Sequence, residues 1–169
     1  NLVNRDKKSA KFADYVLYWN SSFPIAIVEA KDNNHTVSHG LQQAMTYAKM
    51  MDIPFAYSSN GDSFYEHDML TGQEKEIPLD KFPTPQELIE RYKVAANDGN
   101  GLSENEVAAI CQPYYSSQNT YEPRYYQRVA VNRTVDAVAR GDSRLLLVMA
   151  TGTGKTYTAF QVVYRLLKS

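Results

Sequence analysis

Cysteine is nearly absent: Cys111 stands alone. That excludes an internal disulfide and a cysteine metal cluster, and it suits a reducing compartment. Charge of one sign is absent too. Eighteen basic residues against nineteen acidic ones leave a net charge of −1. No global field therefore draws the chain to nucleic acid, and any DNA contact has to come from a local patch. No apolar run is long enough to span a bilayer, and no charged-then-apolar leader opens the sequence. These absences point to a cytoplasmic protein with no membrane partner. The first residue is Asn1 rather than Met, so the expectation is a chain that starts inside a longer one. What is present is globular in character: 43% of the 169 residues are hydrophobic, enough for one domain, or a small domain plus part of another.

Patterning divides the chain. Phe12 to Trp19 alternates and is rich in aromatic and β-branched residues, which predicts a strand. Asn20-Ser21-Ser22 reads as a turn, and Ile25 to Lys31 as a short buried strand that completes a hairpin. After a polar loop, Ser38 is placed to cap a helix from about His39 to Met51, with Leu41, Ala44, Met45 and Ala48 on one face. Ile53–Ser58 and Ser63–Met69 read as strands around the Asn60-Gly61 turn. Pro85 opens a helix to about Lys93. From Ala95 to Tyr121 the composition shifts to a turn cluster at 97–101, one short helix over Leu102–Ile110, and a polar, aromatic stretch. A helix from about Pro123 to Arg140, a buried strand at Leu145–Val148 and a helix over Lys155–Leu167 follow. The expected units are residues 1–94, a linker at 95–120, and the beginning of a second domain at 121–169.

Two constellations carry chemistry. The first is Asp14 on one strand of the hairpin with Glu29 and Lys31 on the other. Residues two apart on a strand share a face, so Glu29 and Lys31 project together and the hairpin brings Asp14 beside them. A Glu-x-Lys triplet is common on solvated strand edges. Here it ends the apolar run Pro24–Val28, where charge is costly and needs a reason. Two carboxylates and an ammonium at a strand end make a compact site for Mg²⁺, whose hard character suits oxygen ligands. The second constellation is Ala150-Thr151-Gly152-Thr153-Gly154-Lys155-Thr156, between the expected strand and helix. Glycines at 152 and 154 let backbone amides turn toward phosphates, Lys155 would reach the β- and γ-phosphates, and Thr156 would hold Mg²⁺. Met149 stands where the strict pattern has Gly. The loop lies thirteen residues before the last residue, Ser169, so a complete ATPase would need more chain.

Asp14 followed by Glu29-Ala30-Lys31 resembles the PD-(D/E)xK nuclease signature, with Ala13 in place of the proline often found before the Asp. Gln43 and Tyr47, four apart on one helix face, resemble the Gln-x-x-x-Tyr motif of its RecB-like branch. The segment Tyr121-Glu-Pro-Arg124-Tyr-Tyr-Gln127 resembles the adenine-reading stretch of superfamily-2 helicases, in which Gln127 would pair with the adenine edge. Taken in this order, the motifs resemble the R (restriction, or motor) subunit of type I restriction–modification enzymes. That resemblance implies an α/β fold: a PD-(D/E)xK restriction-endonuclease-like mixed sheet flanked by helices, then the start of a RecA-like P-loop domain. It implies a type I site-specific deoxyribonuclease that translocates double-stranded DNA with ATP and cuts it with Mg²⁺. Asp14 and Glu29 would hold the metal, Lys31 would assist the nucleophile, and Gln43 and Tyr47 would support the DNA or the site. Gln127, Gly152, Thr153, Gly154, Lys155 and Thr156 would bind ATP. Methyltransferase (M) and specificity (S) subunits are the implied partners, with S-adenosylmethionine used elsewhere in the complex. Two alternatives use the same residues: another helicase–nuclease fusion of DNA repair or phage defence, and a non-catalytic docking module with a nuclease fold.

Overall fold

Five strands form one sheet in chain order: β1 (Tyr15–Tyr18), β2 (Pro24–Ala30), β3 (Phe55–Ser59), β4 (Ser63–Asp68) and β5 (Glu74–Pro78). The computed structural model describes residues 13–96, 99–118 and 122–169. Phe12 of the expected first strand, Asn97 and Asp98 of the turn cluster, and Tyr121 of the adenine-reading segment lie outside the described residues. β2 and β3 run parallel, and the other neighbours are antiparallel. The chain is thus mixed α/β around a mixed sheet.

The parallel pair requires a crossover, and α1 (Leu41–Met51) supplies it. Its Ala44 and Ala48 pack with Ile27, Ile53 and Ala56 on one face of the sheet. On the other face α2 (Pro85–Ala95) sets Leu88 and Ile89 against Ala26, Val28, Phe55, Tyr57 and Ile77. β2 is apolar on both sides because both sides are covered. α2 starts where the sequence signals it: Thr84 accepts from the Glu87 amide, Glu87 reaches back to the Thr84 amide at 2.7 Å, and Pro85 takes the first helical position. One buried ionic cluster stiffens β4. Glu66 takes two guanidinium hydrogen bonds from Arg91, at 2.9 and 2.7 Å, and the hydroxyl of Tyr57, while Arg91 also donates to Asp68 at 3.0 Å. Burial would raise the Glu66 carboxyl, but Arg91 and Tyr57 outweigh it and hold it below the ordinary range.

Within the expected linker, residues 104–111 form α3 (Glu104–Cys111), capped by a Ser103/Glu106 box. Ile110 enters the sheet's core cluster. Ala109 and Tyr114 join a second core with Val131 and Val135 of α4 (Tyr125–Ala139) and Val162 and Leu166 of α5 (Lys155–Lys168). The β1–β2 turn is clasped by this helical part: Asn20 donates to the Cys111 carbonyl at 2.6 Å, Ser22 to the Gln112 carbonyl at 3.0 Å, and Asn132 to the Ser22 carbonyl at 3.3 Å.

Several elements differ from expectation. Ser38 does not cap α1; Gly40 does, and the Ser38 carbonyl accepts the Leu41 amide instead. The helix starts later because Gly40 is held against β3. β5 was not anticipated, since Ile77 is its one buried residue and the rest of this edge strand is charged or Pro78. Leu145–Val148 is neither a strand nor buried. Leu146 and Val148 are 90% and 83% exposed, and no strand among the described residues pairs with them. A β conformation needs a neighbour to take its hydrogen bonds, and none is in place here.

α5 turns a polar side inward. Arg165, fully buried, donates to Asn132 Oδ1 at 2.6 Å and to the Ala109 and Ile110 carbonyls at the end of α3, and lies 5.1 Å over the Tyr114 ring. A cation at a helix C-terminus is favourable, and these contacts replace the water of its two terminal nitrogens, while Nε is buried without a hydrogen-bond partner among the described residues. Arg165→Ala should leave buried acceptors unmet and destabilise this chain by roughly 3 kcal/mol, about the value of one to two hydrogen bonds to a charged group. Urea unfolding monitored by circular dichroism checks this, and a loss under roughly 0.5 kcal/mol contradicts it.

Candidate functional site

β1 and β2 pair with Tyr15 opposite Val28, so the next step along the hairpin sets Asp14 opposite Glu29. Two backbone-to-carboxylate hydrogen bonds tie the strands at this point. The Ala30 amide donates to Asp14 Oδ2 at 2.9 Å, and the Asp14 amide to Glu29 Oε1 at 3.4 Å. Lys31 Nζ lies 3.7 Å from Glu29 Oε2 and donates to Gln43 Oε1 at 3.3 Å. Gln43 in turn donates to the Tyr47 hydroxyl at 3.3 Å. The structure thus brings Asp14, Glu29, Lys31, Gln43 and Tyr47 into one contiguous cluster at the ends of β1 and β2 and on one face of α1.

Electrostatics marks Glu29 within that cluster. It is fully buried, and its Oε2 has no hydrogen-bond partner among the described residues. Burial raises its carboxyl above the ordinary range, the Asp14 carboxylate adds to the rise, and the Asp14 amide and Lys31 only partly oppose it. A buried, unsatisfied carboxylate oxygen beside a second carboxylate fits a hard divalent cation, which is bound by one or two carboxylates and keeps its remaining positions for water and phosphate. Among the described residues no group of three or more His, Cys, Asp or Glu side chains is arranged for a metal; Asp14 and Glu29 are the two carboxylates that this cluster brings together. Two further residues, not singled out from the sequence, touch the cluster. Ser58, buried and opposite Glu29 on β3, accepts the Gly40 amide at 3.1 Å. Helical and strand periodicity gave no signal for either.

The second constellation sits at the start of α5. Gly152 and Gly154 both have positive φ, 78° and 83°, which glycine adopts without strain. Lys155 Nζ donates to the Met149 and Ala150 carbonyls at 3.1 and 3.3 Å, and Thr156 is exposed beside it. Gln127 is buried rather than solvated. It accepts the Arg124 amide at 2.8 Å and donates to the Thr153 carbonyl at 2.9 Å, so it staples the start of α4 to the loop. A Cβ on Gly154 would come within 2.5 Å of that amide nitrogen.

Comparison with known proteins bears on both constellations. Residues 4–53 match the family model for the second domain of the type I restriction enzyme EcoKI endonuclease subunit, and residues 120–169 match that of the type III restriction enzyme res subunit. The type I restriction enzyme EcoAI endonuclease subunit of Escherichia coli is 44% identical over 167 residues, an alignment covering 96% of this chain and 20% of that protein. This chain is a homologue of type I restriction endonuclease subunits. The EcoKI endonuclease subunit of Escherichia coli strain K12 is 29% identical over 206 residues, with 94% of this chain and 17% of that protein covered. A fragment structure assigned to an HsdR subunit of a type I restriction enzyme from Vibrio vulnificus YJ016 superposes with a TM-score of 0.79 at 44% identity. It covers 92% of this chain and 28% of the other. The chain therefore spans about a fifth of the length of its curated relatives. Its first stretch matches a type I domain, and its last is helicase-like. No helix of the described residues is long and apolar enough to cross a membrane.

The raised Glu29 carboxyl has a testable consequence. A raised carboxyl favours the fold at low pH, and that contribution is lost as pH climbs through its folded value. At neutral pH the buried charge therefore costs stability. Glu29→Gln is expected to melt about 1–3 °C above the unaltered chain at pH 7–8. The difference should fade as pH falls into the ordinary carboxylate range. Differential scanning calorimetry across pH checks it, and a Glu29→Gln chain that melts lower at pH 8 contradicts the reading.

Proposed function

We propose that this chain is the part of an ATP-dependent type I restriction endonuclease subunit in which a PD-(D/E)xK nuclease meets the start of a RecA-like motor. The observation that carries the reading is the cluster of Asp14, Glu29, Lys31, Gln43 and Tyr47, joined through hydrogen bonds and one ion pair, in a homologue of type I endonuclease subunits. Asp14 and Glu29 would hold Mg²⁺, which when bound polarises a DNA phosphate and acidifies a water. Lys31 places positive charge where negative charge develops on the phosphate, and Gln43 sets the direction of its ammonium. Tyr47 steadies the Gln43 amide. Lys31 is not fully enclosed, with a quarter of its side chain exposed, so a DNA phosphate can reach it from solvent.

In the motor part, Gly152, Thr153 and Gly154 give the loop that would cradle the phosphates of ATP, with Lys155 and Thr156 at the helix start. The Lys155 ammonium has to leave the Met149 and Ala150 carbonyls to reach a phosphate. Gln127 already uses one lone pair of its carbonyl and one amide proton within the protein, which leaves the second lone pair and the other proton for an adenine edge. Double-stranded DNA, methyltransferase and specificity subunits, and a cytoplasmic location complete the proposal.

In the full-length protein assembled with those subunits, Asp14→Ala or Lys31→Ala should reduce DNA cleavage by at least about a hundredfold and leave ATP hydrolysis within about twofold. Lys155→Ala should remove ATP hydrolysis and, with it, cleavage. Plasmid cleavage and phosphate release measured in parallel separate the two. Wild-type cutting by Asp14→Ala would falsify the nuclease assignment.

A further inference from the structure

We infer that Gly40 and Ser58 form a positioning clamp that fixes how closely the start of α1 approaches the Glu29–Lys31 pair. Three observations combine. Ser58 is the β3 partner of Glu29 in the parallel ladder, so its fully buried side chain stands beside that carboxylate on the same face of the sheet. Its Oγ accepts the Gly40 amide at 3.1 Å, a buried hydrogen bond between β3 and the first residue of the helix entry. Gly40 itself has φ −83°, a conformation open to any residue, so backbone freedom does not explain a glycine there. Space does. A Cβ would lie 2.8 Å from Ser58 Oγ, 3.2 Å from Glu29 Cβ and 3.2 Å from Lys31 Cε.

Two of those three atoms belong to the residues that carry the proposed chemistry. Gly40 also sets the position of Gln43, three residues on and close by on the helix surface. Gln43 meets Lys31 at 3.3 Å, so any outward shift of the helix start lengthens that contact. Sites of this kind tolerate about 0.5 Å of displacement, and a methyl at position 40 needs a shift of that order. Gly40 and Ser58 are positioning residues, joined to each other by the Gly40 amide. They act through Glu29, Lys31 and Gln43, and the inference rests on the nuclease reading of those residues.

The test uses the full-length protein. Mn²⁺ binding is measured by calorimetry without nucleotide or DNA, together with melting temperature, ATP hydrolysis and the Mg²⁺ dependence of DNA cleavage. Gly40→Ala is expected to weaken Mn²⁺ binding by about 10–100-fold and to raise the Mg²⁺ needed for half-maximal cleavage by a similar factor, the usual cost of removing support from a metal ligand. ATP hydrolysis should stay within about twofold, because the altered contact lies in the other part of the chain. Ser58→Ala, which only subtracts an atom, is expected to weaken Mn²⁺ binding by about tenfold. Where Gly40→Ala lowers the melting temperature by more than about 5 °C, Ser58→Ala decides by the same measurement. Glu29→Ala is the control. If it abolishes cleavage while both clamp variants bind Mn²⁺ and cut as the unaltered protein does, the clamp is wrong and the nuclease reading stands. If Glu29→Ala cuts at the wild-type rate, the nuclease reading falls and takes the clamp with it.

Discussion

Parallel pairing of β2 with β3 obliges the chain to leave the end of β2, cross one face of the sheet and re-enter at the edge where β2 began. The α1 helix is that crossing. The geometry that follows is that of the candidate site. The end of β2, where Glu29 and Lys31 project, lies under the first turns of the crossover helix. Gln43 and Tyr47 are therefore delivered to the cluster by the connection itself. An antiparallel β3 joined by a tight turn would have placed a hairpin loop at this end, with no helix start to bring Gln43 to Lys31. The antiparallel β1 adds the remaining carboxylate, because its register sets Asp14 across from Glu29.

Charge explains why the cluster sits where the strand ends. Ile25, Ile27 and Val28 are buried between α1 and α2, and an ionised group among them would have neither water nor partner. At Glu29 the enclosure is still complete, but two polar neighbours come within reach: the Asp14 amide and the Lys31 ammonium. They are not enough to hold the carboxyl at its ordinary acidity. Glu66 gives the contrast within one sheet. It is as buried, yet Arg91 and Tyr57 satisfy both oxygens and keep it ionised. The satisfied carboxylate is structural. The unsatisfied one retains capacity for a ligand.

Sequence alone made the site's membership legible more readily than its support. The apolar run ending in Glu-x-Lys, the four-residue spacing of Gln43 and Tyr47, and Pro85 at the start of a helix each follow from a local pattern. Ser58 and Gly40 carry no such signal, because their meaning lies in a contact between residues eighteen apart in sequence. β5 went unseen because burial reaches only Ile77 of its five residues. Leu145–Val148 misled in the other direction: an apolar run reads as a buried strand, but strand conformation is settled by the neighbours that pair with it. α5 was legible as a helix. Thr158, Gln161 and Arg165 are turned inward beside Val162 and Leu166, while Phe160, Val163 and Leu167 are outward, a partial reversal of a simple amphipathic pattern.

That reversal has a local cause. The inward residues of α5 meet backbone as well as side chains. Gln161 donates to and accepts from the Tyr115 backbone, at 3.0 and 2.9 Å, and Arg165 takes the last carbonyls of α3. Backbone polar groups that end a helix or run irregularly need partners when buried, and amide and guanidinium side chains supply them where aliphatic ones cannot. The same α3 terminus receives Asn20 from the β1–β2 turn. One stretch of chain, 109–115, is thus gripped by the sheet on one side and by α5 on the other. α4 completes the connection, reaching the loop through Gln127 and the hairpin turn through Asn132. Residues that a composition shift would assign to a flexible linker instead supply the carbonyls on which both parts of the molecule are fastened. Separating those parts would exchange these hydrogen bonds for water, so the two cohere through polar contacts as well as apolar area.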